Sequence, residues 1–266
     1  GYRGKRFVMP QLTAEGGVRF SGKAADNTAP IPQDSPIIQA LNEPFDLKHF
    51  KTPRRPVSLG ILLPQQRRVF NPRLVVPRVL DLPIMFPGSD VRLPRELRVL
   101  KPIIQRIMNY EKAINPRCFE EFYCYLTVDR GMVEPGVLQR EAPCHVDGFQ
   151  GARWKPKVRG NHTYTVSNAV PTAYYEQAFH FDALDEAVHD FFWEMNYQVA
   201  QTNSEHAWQA EDYEVTLMDC YTVHRGTQAP RKLHRTFIRL SFEVRIFDRL
   251  GNAHNPMFAY DWPMVP

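Results

Sequence analysis

RTFIRLSFEVRIF, residues 235–247, is the stretch whose reading decides the fold. Thr236, Ile238, Leu240, Phe242 and Val244 make one parity, apolar but for the threonine, and Arg235, Phe237, Arg239, Ser241 and Glu243 make the other. Successive side chains of a strand point to opposite faces, so one side of this strand belongs to a core and the other is a polar wall. Two arginines on that wall require solvent or an anion. Just upstream, YEVTLMDCYTVH, residues 213–224, alternates as well and ends on His224, before Arg225-Gly226, where the chain must turn. The aromatic and β-branched run 118–128 (Phe119, Phe122, Tyr123, Tyr125, Val128) reads as another strand.

Working outward, Leu97, Val99, Leu100, Ile103, Ile104, Ile107, Met108 and Ile114 recur at helical steps and predict a helix over 94–115, ended by Asn115-Pro116. A second helix is expected over 183–200 on the face Leu184, Val188, Phe191, Phe192, Met195 and Val199, with Asp182 as its N-cap. Between Pro44 and Pro94, short runs (57–63, 74–79) are chopped by proline and read as edge strands or an extended wrap, and 1–36 reads as loop or arm. The expected organisation is an N-terminal basic, proline-rich arm and wrap over 1–93 and a core over 94–266, one structural domain overall.

Composition narrows the class. With 43% apolar and 23% charged residues among 266, the chain is globular rather than disordered, and 23 prolines against 14 glycines exclude a bundle of long helices. No apolar run approaches the ~20 residues a bilayer needs. Gly1–Pro10 is basic without an apolar stretch after it, so no secretory signal is read there. Cys118, Cys124, Cys144 and Cys220 have no paired framework, which suggests reduced thiols in the cytoplasm. Lys51, Arg54, Arg55, Arg67, Arg68, Arg73 and Arg78 fall in one stretch without an acid. It could meet nucleic acid, an acidic carrier protein or an anionic substrate, or form a belt paired with acids elsewhere.

His145-Val146-Asp147 follows Pro143 and precedes Gly148. In extended chain, residues i and i+2 share a face, so an imidazole and a carboxylate point the same way. One further histidine would complete two nitrogens and one oxygen on one side of a metal, the facial set of non-haem Fe(II), and His224 is the natural third ligand. His180-Phe181-Asp182 repeats the spacing but is set aside, because Asp182 is better used as a helix cap. His162, opening a strand-like run, is the other histidine of interest.

The order of these parts resembles the Fe(II)/2-oxoglutarate-dependent dioxygenases: His145-x-Asp147, then His224 with Arg-Gly after it, then a strand bearing Arg235 and Arg239. The stretch AEDYEVTLMDCYTVHRG, 210–226, is similar to that family's approach to its distal histidine, and the likeness spans 118–247. Ala229-Pro230 and the basic loop 230–234 depart from the pattern. The resemblance implies a mainly β fold with packed helices, a distorted double-stranded β-helix of jelly-roll or cupin-like kind. It implies Fe(II) on His145, Asp147 and His224, with 2-oxoglutarate and O2 as cosubstrates. It further implies oxidation of an unactivated C–H bond in a small molecule, in a biosynthetic pathway, with release of succinate and CO2. Arg235, eleven residues past His224, and Arg239, followed at the second position by Ser241, compete to hold the far carboxylate of 2-oxoglutarate, with Ser241 favouring Arg239. Thr172 resembles a threonine that helps hold that cosubstrate. Phe149, Arg153, Trp154, Tyr164 and Tyr221 are candidates for the substrate wall, Arg153 for an anionic group. Alternatives from other classes are a catalytically inactive cupin-like binding protein, although no His-x-His is present, a nucleic-acid- or carrier-associated member of the fold, and a zinc hydrolase, although no His-Glu-x-x-His is present.

Overall fold

The computed structural model describes residues 10–23, 29–136, 143–203 and 205–266. Parts of the expected N-terminal arm (1–9 and 24–28), and most of the Gly1–Pro10 stretch, lie outside the described residues. In chain order the elements are β1 (Val18–Phe20), α1 (Pro36–Gln39), β2 (Val57–Ile61), β3 (Val79–Met85), β4 (Val91–Leu93), α2 (Lys101–Ile114), α3 (Cys118–Glu121) and β5 (Tyr123–Val133). They continue with β6 (His162–Ser167), β7 (Ala173–Tyr175), α4 (Phe191–Gln201), β8 (Ala207–Gln209), β9 (Glu214–Asp219), β10 (His224–Arg225) and β11 (Leu233–Glu243).

Two sheets carry the architecture. The larger has the order β2-β9-β6-β11-β5-β3 and the smaller the order β10-β7-β8, all antiparallel. His145 pairs with His224, so the 145 segment lies beside β10 and extends the smaller sheet. The chain therefore alternates: β5 in the large sheet, 145 in the small, β6 large, β7 and β8 small, β9 large, β10 small, β11 large. This is the winding of a double-stranded β-helix. Both edges of the large sheet come from the N-terminal part, β2 on one side and β3 on the other.

Alternation along the strands builds two cores on the outer faces. Leu126, Val128, Tyr164, Val215, Leu217, Ile238, Leu240 and Phe242 turn outward from the large sheet and pack under α2, whose Ile103, Ile104, Ile107 and Met108 are buried with them. Truncating one such buried aliphatic side chain to alanine costs about 2–5 kcal/mol. Cys144, Val146, Ala173, Tyr175 and Val223 turn outward from the small sheet into an aromatic core with Phe45, Phe50, Phe179 and Phe181, covered by Phe191, Met195 and Val199 of α4.

Several expected elements differ in detail. The helix over 94–115 is a 3₁₀ segment, Arg95–Leu100, leading into α2, because Pro102 lacks an N–H and fits the first turn of a helix better than its middle. The strand expected from 118 begins at Tyr123, after the single turn of α3. The helix expected from 183 starts at Phe191, and its cap is Asp190, whose side chain accepts from Trp193 N at 3.0 Å, rather than Asp182. Asp185 explains the delay: its carboxylate accepts from Ala187 N at 2.8 Å and its own N–H donates to His189 Nδ1 at 2.7 Å, local bonds that compete with helix. Asp182 is exposed and ion-paired with Lys51 at 2.8 Å.

One polar cluster interrupts the large core. Glu111 of α2 is fully buried and joins His162 Nε2 at 2.5 Å and the Tyr164 hydroxyl at 2.6 Å. His162 is thereby a core histidine. Glu111→Ala leaves two buried groups without their acceptor and should cost on the order of 2–4 kcal/mol, read as a lowered urea midpoint with an unchanged slope.

Candidate metal centre

The inner faces of the two sheets carry the chemistry. Because Cys144, Val146 and Val223 turn outward, His145 and His224 turn inward. Each donates its backbone N–H to the other's carbonyl at 2.9 Å, which locks their register. Their ring centroids are 4.4 Å apart. Asp147, two residues past His145, comes to the same side. Its Oδ1 lies 3.7 Å from His145 Nε2 and 3.9 Å from His224 Nε2. Among the described residues these three form a group whose ligand atoms all lie within 4.8 Å of one another.

The other ring nitrogen of each histidine is already engaged. His145 Nδ1 lies 3.1 Å from the carbonyl of Pro143, and His224 Nδ1 lies 2.9 Å from the carbonyl of Thr222. A carbonyl only accepts, so both Nδ1 atoms carry a hydrogen and both Nε2 atoms are left to face Asp147. Two imidazole nitrogens and a carboxylate on one side form a donor set that fits Fe(II). Gly148 follows the acid with φ +81°, and a Cβ there would lie 2.2 Å from Asn161 Oδ1, so the turn after Asp147 requires glycine.

Tyr174 of β7 was not read from the sequence, yet it stands at the centre of the cleft between the sheets. Its ring lies 6.0 Å from that of His224, and its hydroxyl meets Thr165 Oγ1 at 3.0 Å and Thr216 Oγ1 at 3.2 Å on the large sheet. Burial and the nearby Asp147 charge raise its pKa, which keeps the phenol protonated. Only its inward parity between Ala173 and Tyr175 could have signalled it. Thr172 lines the same cleft with Thr165, Ser167, Pro171 and Phe237.

The two arginines of β11 share the inner face but differ in surroundings. Arg239 donates to Asp81 Oδ1 at 2.9 Å and to Thr127 Oγ1 at 3.3 Å, and lies 3.7 Å from Asp147 Oδ2. Asp81 is a second residue missed in the sequence. It reaches inward from a bulge in β3 at φ +45°, and its one signal was a lone carboxylate in the run Val79–Leu82. Arg235 is 7% exposed, and its Nε donates to the carbonyls of Ala169 and Val170, just before Pro171 and Thr172 of the cleft. Ser241 is buried and accepts from Thr163 Oγ1 at 3.4 Å.

The substrate-wall candidates separate. Tyr164 does not line the site, because it pairs with Leu240 and so turns with it into the outer core, where it binds Glu111. Tyr221 is likewise buried in the aromatic core, stacked on Phe45 at 5.2 Å, its hydroxyl accepting from Asp46 N at 2.9 Å. Phe149 packs against Phe45 and Phe191 and anchors the loop after Asp147 to that core. Arg153 and Trp154 are exposed on this loop, and the Trp154 ring lies 4.2 Å from the Arg245 guanidinium. His180 and Asp182 are both exposed and take no part in the metal group.

The basic stretch is largely neutralised within the fold. Lys51 meets Asp182, Arg54 meets Asp219, Arg55 meets Glu176 and Arg78 meets Asp129. Arg68 and Arg73 are exposed. All four cysteines are buried and form no disulfide, and burial raises each thiol pKa, which disfavours the reactive thiolate. No helix among the described residues is long and apolar enough to cross a membrane.

No family model matches the chain, and no curated protein matches it. Solved structures do resemble it. EctD from S. alaskensis with bound Fe is 15% identical, over 93% of this chain and 88% of that one, at a TM-score of 0.41. AviO1 from Streptomyces viridochromogenes Tue57 is 12% identical, over 80% and 96%, at 0.39. An oxidoreductase of the 2OG-Fe(II) oxygenase family from Burkholderia pseudomallei is 11% identical, over 71% and 79%, at 0.37.

Metal binding can be read directly with Co(II), whose visible absorption reports its coordination. The wild-type chain is expected to bind one equivalent, and His145→Ala, Asp147→Ala and His224→Ala are each expected to abolish saturable binding while keeping the fold by circular dichroism.

Proposed function

We propose that the chain is an Fe(II)- and 2-oxoglutarate-dependent oxygenase that oxidises an unactivated C–H bond of a small-molecule substrate and releases succinate and CO2. The observation that carries this reading is the convergence of two Nε2 atoms and one carboxylate between the sheets, facing a wall that holds a buried arginine. His145, Asp147 and His224 would hold the iron. When bound, iron and its cosubstrate supply the oxidising power, and the protein supplies orientation and exclusion of water.

Of the two arginines, Arg235 is the better anchor for the far carboxylate of 2-oxoglutarate. Arg239 is engaged by Asp81 and stands beside the proposed ligand Asp147, whereas the far carboxylate must sit a chain's length from the metal. Arg235 lies two strand repeats further along, roughly 13 Å for four residues, next to the cleft that Thr172 and Tyr174 line. A guanidinium offers that carboxylate a planar, two-point match. Arg153, exposed on the loop after Asp147, is offered to an anionic group of the substrate. The buried, unpaired cysteines favour a reducing compartment such as the cytoplasm.

Purified protein incubated with Fe(II), 2-oxoglutarate and a metabolite extract should form succinate in an oxygen-dependent way, together with a product that has gained one oxygen atom or lost two hydrogens. Absence of succinate from a metal-loaded protein with every extract would overturn the assignment. Arg235→Met should raise the 2-oxoglutarate requirement on the order of 10–100-fold, as for loss of a charge-assisted pair, with Co(II) binding retained. The opposite pattern, with Arg239→Met giving the larger rise, returns the anchoring role to Arg239.

A further inference from the structure

We infer that Arg54 is a positioning residue for His224, acting through Asp219 and Thr222, an inference that rests on the reading of His224 as a metal ligand. Arg54 belongs to the basic stretch, where a surface cation would be expected, yet it is 3% exposed, and its partner Asp219 is 6% exposed. The two lie 165 residues apart in sequence. Burying such a pair carries a desolvation cost that hydrophobic residues of similar size would avoid, so its geometry calls for an explanation beyond stability.

The pair ties the 49–52 segment to the turn 219–222, and both carboxylate oxygens of Asp219 are used in doing so. Arg54 Nε donates to Asp219 Oδ2 at 2.8 Å, its Nη1 donates to the carbonyls of His49 and Thr52, and its guanidinium lies 5.0 Å from the Tyr221 ring. The other carboxylate oxygen, Asp219 Oδ1, accepts from Tyr221 N at 3.0 Å and from the Thr222 hydroxyl at 2.8 Å. Thr222 N donates back to the Asp219 carbonyl at 3.2 Å, closing the turn. The carbonyl of Thr222 in turn meets His224 Nδ1 at 2.9 Å. Arg54 thus orients a carboxylate, the carboxylate orients Thr222, and the Thr222 carbonyl holds a hydrogen on Nδ1 and leaves Nε2 toward Asp147.

The ring of the neighbouring ligand, whose backbone pairs with that of His224, is backed by different groups. Asn196 of α4 accepts from Cys144 N at 2.8 Å and donates to Cys144 O at 3.0 Å, next to His145, whose own Nδ1 rests on the Pro143 carbonyl. The two imidazoles are therefore separable by experiment, and each serves as the control for the other.

Arg54→Lys keeps the charge but loses the planar fork, and Thr222→Val removes one hydroxyl while leaving the ion pair and the volume in place. Both are compared with wild type by the ring-nitrogen NMR spectrum of the metal-free protein, at a pH where the imidazoles are neutral, and by titration with Co(II) alone. Both variants should mix the tautomers of His224, leave His145 unchanged and weaken Co(II) binding on the order of 10–100-fold, the usual effect of removing a group behind a metal ligand. Asn196→Ala should disturb His145 and spare His224. If Arg54→Lys does not fold, Thr222→Val carries the same test. Folded variants with an unchanged His224 spectrum and wild-type Co(II) affinity overturn the inference, as do variants in which His145 and His224 are disturbed alike. A wild-type protein that binds no Co(II) overturns the metal reading instead, and the tautomer of His224 still decides whether Arg54 governs it.

Discussion

Two backbone hydrogen bonds, given and received between His145 and His224, are the constraint on which the rest of the centre depends. They fix the register of two segments some eighty residues apart. Because side chains alternate along each segment, that register sends both imidazoles to the same side. A slip of one residue in either segment would turn its histidine outward into the aromatic core and bring Cys144, Val146 or Val223 inward in its place. The candidate metal centre is in this sense a consequence of strand pairing, and Asp147 joins it only because it lies two residues beyond His145.

Such a short pairing does not hold itself. The segment around His145 contributes a single bridge, and β10 has two residues. Their support comes from outside: the aromatic core under α4 presses on the outward side chains, Asn196 grips Cys144, and the buried Arg54–Asp219 pair grips the turn before His224. On the opposite wall the large sheet is anchored by the α2 core and by the Glu111 cluster. The cleft thus lies between two faces whose backs are both packed, which is how a polar interior can be kept without collapse.

Charge within the cleft is arranged rather than merely present. Arg239 is matched by Asp81 and stands by Asp147, so the positive charge near the donor set is largely balanced. Arg235 is buried and bonded to the carbonyls of Ala169 and Val170, beside the cleft. Much of the basic stretch that looked like a binding surface in the sequence is spent on acids contributed by Asp129, Glu176, Asp182 and Asp219.

The sequence by itself determined the parts whose signal is local and periodic. Alternation over 235–247 marked β11 and its two faces, helical spacing marked α2, and the His-x-Asp spacing with a distal histidine named the three residues that meet. What it misjudged were places where local polar bonds or chain topology override periodicity. Asp185 and His189 delay α4, Pro102 turns the start of a long helix into a 3₁₀ segment, Tyr164 faces away from the centre because its parity is set by strand register, and Tyr221 faces away because it lies in the turn between β9 and β10. Only the tertiary structure could decide that Asp81 pairs with Arg239, that Tyr174 spans the sheets and that Arg54 stands behind His224. Each of these joins residues far apart in the chain, and a contact of that kind leaves no spacing in the sequence from which it could be read.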